Sequence, residues 1–163
     1  MFISKSIHKA SDLIDRICCT MIIILIAMMV LVTAMQIICR VFFNALSWSE
    51  EITRYLLVYS TFFGAASVYK KNGHISVLVV QHLLPPRFQK YVATFVNLLC
   101  AALFGIAVFY GFRYMRLQGN QLSAALRVPM KYLYMSIPVG FSFMIVHAID
   151  NIFSIFQREG GAK

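Results

Sequence analysis

From Ile17 to Cys39 the chain runs for 23 residues without a charge. A stretch of that kind crosses a hydrocarbon core of about 30 Å as an α-helix, the one single-segment structure that satisfies its own backbone N–H and C=O groups in lipid. Val32-Thr33-Ala34 resembles a signal-peptidase site, but the apolar run exceeds the roughly 7–15 residues of a secretory signal core, so a retained first membrane helix is expected. The rest of the composition agrees. Hydrophobic residues make up 60% of the chain, mean hydropathy is +0.75, and only 13% of residues are charged. Soluble domains carry about 25% charged residues.

The stretch Ser47 to His74, SWSEEITRYLLVYSTFFGAASVYKKNGH, is the most structured in its chemistry. Ser47 with Glu50 fits the S-x-x-E capping box, so a helix is expected to begin there. Two acids, Glu50 and Glu51, stand at its positive end and Lys70-Lys71 at its negative end, as the helix dipole favours. At ~100° per residue Arg54 falls between the two acids, so one guanidinium is expected to bridge both carboxylates. From Trp48 to Tyr69 the rise is roughly 33 Å, enough to span. Ser60 and Gly64, like Ala101 and Gly105 further on, form small-xxx-small pairs that allow a second helix to approach closely.

Taken in order, residues 1–16 read as an interfacial lead-in and Arg40 to Leu46 as an apolar-aromatic connector. After Lys70-Lys71-Asn72-Gly73, the run HISVLVVQHLLPP is too short to cross and is expected to lie along the interface. Tyr91 to Phe112 is a third span, closed by Arg113 and Arg116. A polar loop, Leu117 to Val128, leads to Pro129 as the expected first residue of a last helix, with a kink expected at Pro138 and Gly140. The expected fold is therefore an all-α integral membrane domain over 1–163. Its four transmembrane helices cover about 17–39, 48–70, 90–113 and 129–156, with short interfacial helices over about 1–16 and 74–84.

The net charge of +9 suggests no nucleic-acid partner, because the basic residues punctuate apolar runs; topology and membrane lipid headgroups account for them. Lys5, Lys9, Arg16, Lys70, Lys71, Arg87, Lys90, Arg158 and Lys163 fall on one side, and Arg40, Arg54, Arg113, Arg116, Arg127 and Lys131 on the other. The excess places both termini in the cytoplasm, with the Glu50/Glu51/Arg54 head outside. Arg113 and Arg116 are then placed to join that head. Arg127 and Lys131 lie on the same outer side, beside the polar loop.

No chemistry beyond this is expected. The four cysteines show no CxxC and no Cys/His spacing of a zinc site, so no metal is expected. His147 is the one histidine in a span, which speaks against a haem held between facing histidines, and no cofactor is expected. No nucleophile–base pair stands out, so the chain does not read as an enzyme. A transporter core, or a small self-assembling exporter, would show ionisable groups at the membrane midplane, and the acids near spans, Glu50, Glu51 and Asp150, sit at helix ends. The other open reading is a membrane anchor for a respiratory oxidoreductase.

The segment WSEEITRYLLVYSTFFGAASVYKKNGHISV, with Trp48, Glu51, Arg54, Tyr55, Gly64, Ala65, His74, Ile75 and Val77, resembles the small membrane subunit (DctQ-like) of tripartite ATP-independent periplasmic (TRAP) transporters. SAALRVPMKYLYMSIPVG, with Ser123, Pro129, Pro138 and Gly140, is a second, weaker match; Leu78 departs, standing where many relatives have an acid. The resemblance implies a multi-pass protein of the bacterial inner membrane that braces a large membrane subunit carrying the substrate and sodium sites. It further implies a periplasmic substrate-binding protein delivering an organic acid of C4-dicarboxylate or sialic acid type. On that basis Trp48, Glu50, Glu51, Arg54, Ser60, Gly64 and His74 are the expected subunit-interface residues, and Arg113, Arg116, Arg127 and Lys131 the expected docking residues.

Overall fold

The computed structural model describes residues 2–42, 46–71 and 86–160. They form α1 (Phe2–Phe42), α2 (Ser47–Lys70), α3 (Pro86–Leu117), a single turn α4 (Lys131–Tyr134) and α5 (Ser136–Gly160). The long helices run up and down, so the start of α1 and the end of α5 lie at one end of the bundle. The α2 start and the loop before α4 lie at the other. α2 packs between α1 and α5, and α3 packs on the far side of α5. Among the described residues, three segments, Ile7–Phe42, Tyr91–Leu117 and Lys131–Ser154, are long and apolar enough to cross a membrane.

The boundaries depart from expectation in four places. The lead-in over 1–16 is no separate element but the opening of the 41-residue α1; its spacing lets it bond to α2 and α5, which keeps the helix continuous. Leu46, not Ser47, is the N-cap of α2, and no side chain caps it. The capping box does not form; Ser49 instead returns both its N–H (3.2 Å) and its hydroxyl (2.6 Å) to the Leu46 carbonyl. Pro129 does not open a helix, because it pairs with Leu122 in a short antiparallel bridge. Finally, the last helix is broken at Met135 instead of kinked at Pro138. Pro138 has no N–H for the Tyr134 carbonyl and its ring crowds that carbonyl, so α4 stops and Pro138 sits in the first turn of α5, where a missing donor costs nothing. The interfacial segment expected over 74–84, with His74, lies outside the described residues.

Cys18, Ala66, Tyr69, Phe104, Met144 and Ala148 are buried together where α1, α2, α3 and α5 meet. Rings link the helices: Tyr69 meets Phe104 edge-on at 5.1 Å, and Phe141 meets both Phe104 and Phe62 at 5.7 Å. The four cysteines are free thiols.

Close approach between helices does not occur at the small pairs singled out from the sequence. A Cβ added at Gly64 or Gly105 would meet nothing within 4 Å. It occurs at Gly140, whose added Cβ would lie 2.8 Å from Phe62 Cβ, and at Gly111, 3.1 Å from Ile137 Cγ2. Small residues here let α5 approach α2 and α3.

Candidate functional site

The α2 head and the loop before α4 form one unit. Ser123 N–H donates to the Val128 carbonyl (2.9 Å) and Met130 N–H to the Gln121 carbonyl (2.8 Å), closing a small hairpin over 121–130. Its turn spans residues 124–126 and reverses at Arg127, whose φ of 52° lies in the left-handed region. Such a turn aims successive N–H groups at one point and makes an anion-binding nest. Glu51 fills it: its Oε2 accepts from Ala125 N–H (3.1 Å) and Leu126 N–H (2.8 Å). Tyr55 donates to Glu51 Oε1 (3.4 Å), and Tyr59 donates to the Tyr132 carbonyl.

The expected Arg54 bridge is therefore absent. The ion pairs among the described residues are Lys70–Asp12 and His8–Asp150, and neither includes Arg54, which is exposed. Glu51 turns to the hairpin because two backbone donors in fixed geometry satisfy a carboxylate better than one mobile, exposed guanidinium does. Glu50, exposed, accepts from Gln36 Nε2 of α1 at 3.3 Å. Trp48, Ser60 and Gly64 are half-buried, with the Ser60 hydroxyl turned back on Leu57.

Four basic residues surround this end. Arg113 and Arg116, exposed on the last turns of α3, make no ion pair with Glu50 or Glu51, so they do not join an ionic head. With Phe109, Phe112 and Leu117 they line an open groove of about 500 Å³. Arg127 is exposed at the hairpin turn, and Lys131 lies 5.3 Å from the Tyr132 ring centre in cation–π contact. Tyr114 and Tyr134 pack edge-on at 4.7 Å and tie α3 to α4 here.

The opposite end holds a polar network that sequence reasoning missed. His8 bonds Asp150 (3.1 Å), Ser11 bonds His147 Nδ1 (2.9 Å), Ser67 donates to Asp15 (2.6 Å) and Lys70 to Asp12 (2.6 Å). His147 is fully buried, and its Nε2 has no hydrogen-bond partner. The signal was present in His8, Ser11, Asp12, Asp15 and Cys19, which recur at helical spacing along one face of α1. Reading 1–16 as an interfacial segment hid it. Among the described residues, no group of three or more His, Cys, Asp or Glu is placed to hold a metal ion.

The model of the family described as "Tripartite ATP-independent periplasmic transporters, DctQ component" matches residues 28–158. The chain belongs to this family. DctQ proteins are the small permease subunits of TRAP transporters, and this chain is a membrane protein of that kind. A provisionally named TRAP transporter small permease protein of Haemophilus influenzae (strain ATCC 51907 / DSM 11121 / KW20 / Rd) is 29% identical over 160 residues, covering 93% of this chain and 95% of that protein. The sialic acid TRAP transporter small permease protein SiaQ of Vibrio cholerae serotype O1 (strain ATCC 39315 / El Tor Inaba N16961) is 23% identical over 110 residues, 68% of this chain and 64% of its own. The sialic acid TRAP transporter permease protein SiaT of Haemophilus influenzae (strain 86-028NP) is 29% identical over 105 residues, which are 64% of this DctQ chain and 17% of SiaT. These relatives are transport subunits and lend nothing to the oxidoreductase-anchor reading.

Proposed function

We propose that this DctQ chain braces the large permease subunit of a TRAP system in the bacterial inner membrane and helps dock the periplasmic binding protein. The system takes up an organic acid, sialic acid or a C4-dicarboxylate in type, on a sodium gradient. α2 is the fourth membrane span, both termini are cytoplasmic, and the hairpin end faces the periplasm. Support for a large membrane partner comes from SiaT, in which a segment similar to this chain is one part of a longer permease. Open space beside Gly64 and Gly105 leaves room for its helices.

The observation that carries the docking role is the hairpin end itself. It gathers exposed Arg113, Arg116, Arg127 and Lys131 around a loop whose bonded acid, Glu51, is already occupied by backbone donors, while Glu50 beside it accepts from Gln36. Exposed cations of this kind act through salt-sensitive association rates. Charge reversal at Arg127 and Lys131 is expected to slow uptake at limiting binding protein and flatten its salt dependence, while the two membrane subunits still co-purify. Uptake unchanged across salt and binding-protein concentration removes the docking role. The chain reconstituted alone under a sodium gradient is expected to give no organic-acid uptake, and robust uptake would overturn the bracing role.

A further inference from the structure

We infer that Glu51 is a positioning residue for docking: it sets the hairpin turn and so fixes Arg127 where a carboxylate-bearing surface of the soluble partner can meet it. The inference rests on the docking role just proposed.

Arg127 stands in a backbone conformation that an L-residue adopts at a cost, φ 52°. Neighbouring contacts must hold such a residue there. Within the hairpin the bonds Ser123–Val128 and Met130–Gln121 fix the two legs, and Val128 N–H also reaches the Ser123 hydroxyl at 3.3 Å. Those bonds leave the N–H groups of Ala125 and Leu126 to an outside acceptor. Glu51 Oε2 supplies it from α2, 74 and 75 residues away in sequence. The carboxylate is anchored in turn, since Tyr55 donates to its other oxygen, and Tyr55 also contacts Met130 Sδ at the hairpin's end (3.4 Å). Held by backbone donors, the Glu51 carboxylate makes no ion pair with Arg127, whose side chain is exposed and is in no ion pair among the described residues. Arg127 therefore presents its cation outward from a fixed turn, and a pre-set charge loses less freedom on binding than one on a mobile loop. The partner surface it fits is acidic.

The test uses the reconstituted tripartite transporter with Arg127→Glu, Glu51→Ala, Glu51→Gln and the double variant Glu51→Ala/Arg127→Glu. Arg127→Glu should raise the half-saturating binding-protein concentration roughly two- to fivefold, the scale of one exposed charge contact, with the rate at saturation kept. Glu51→Ala should raise it by a similar factor, and the double variant no further. Glu51→Gln keeps a side-chain oxygen for the two N–H groups and should restore most of the loss. Amide exchange at Ala125 and Leu126 should quicken in Glu51→Ala and not in Arg127→Glu. Full multiplicative effects in the double variant, or unchanged exchange in Glu51→Ala, overturn the positioning role while docking stands. No effect of Arg127→Glu removes the docking role, and the inference falls with it. If Glu51→Ala does not assemble, the same comparison is made with Glu51→Asp, which keeps the charge but withdraws it from the turn, and an unchanged half-saturation there overturns the proposal.

Discussion

Gly140→Ala tests how α2 and α5 are held together. The methyl it adds would lie 2.8 Å from Phe62 Cβ, 3.0 Å from Cδ1 and 3.1 Å from Cγ. Carbon atoms rest at about 3.5–4.0 Å, so at least the Cβ contact is far inside repulsion. Phe62 Cβ is bound directly to the α2 backbone and cannot swing away. Relief requires α2 and α5 to separate, which also disturbs the Phe62–Phe141 contact at 5.7 Å. Overpacking of this kind costs about 1–3 kcal/mol. Against it stands the helix-propensity gain of Gly→Ala, about 1 kcal/mol or less.

Gly105→Ala isolates that gain, since its methyl enters open space. The difference between the two variants is then the overpacking cost alone, about 1–3 kcal/mol, or roughly five- to 150-fold in the unfolding constant. Reversible unfolding of the purified chain in mixed micelles, titrated with a denaturing detergent, reads it directly. Gly111→Ala, whose nearest contact is 3.1 Å to Ile137 Cγ2, should fall between them. If Gly140→Ala proves as stable as Gly105→Ala, the packing of α2 on α5 is not as described.

Arg54→Ala should change stability by less than about 0.5 kcal/mol in the same titration, as for an exposed side chain without an ion pair among the described residues; a loss near 3 kcal/mol would restore the buried bridge expected from the sequence. Ser11→Ala should cost about 1–3 kcal/mol, because it strips buried His147 of its one side-chain partner among the described residues. In a His147→Phe background the same Ser11→Ala change should cost much less, and an equal cost in both backgrounds refutes the coupling. Lys70→Met should cost about 0–1 kcal/mol, since Asp12 is half exposed, and a larger loss would mean the pair is shielded by lipid or partner.

Much of the fold was legible in the sequence because lipid imposes a coarse rule. A long uncharged run must be a helix, and Ile17–Cys39 and Tyr91–Phe112 each fall inside one. What hydropathy does not encode is where a helix continues once its residues turn polar, so α1 before Ile17 was misread. Local rules failed where tertiary partners outbid them. The Ser47 capping box lost to Leu46 and Ser49, and the Glu51–Arg54 pairing, sound for an isolated helix, lost to a hairpin far along the chain. Pro138 was rightly marked as a disruption, but whether proline kinks or ends a helix depends on the turn before it. For the candidate site, the residue types were readable and their grouping was not: Glu51 reaches the turn before Arg127 through the backbone N–H groups of Ala125 and Leu126, which carry no residue signature.

The two ends of α2 explain how a helix charged at both termini is tolerated among apolar ones. At one end Glu51 and Tyr59 are tied to the hairpin and to α4. At the other, Ser67 and Lys70 are tied to Asp15 and Asp12 of α1, and Tyr69 donates to Asn97 of α3 at 3.0 Å. Between them Phe62 lies against Gly140. Sliding α2 by one turn moves it about 5.4 Å along the bundle, which breaks the polar contacts at both ends at once and drives another side chain into the Gly140 gap. Packing alone would leave a smoother landscape, since apolar helices in lipid gain nothing from the hydrophobic effect in choosing one register over the next. Polar ties at both ends thus fix the height of Glu51 relative to α1 and α5. The hairpin inherits that height, and with it the placement of Arg127.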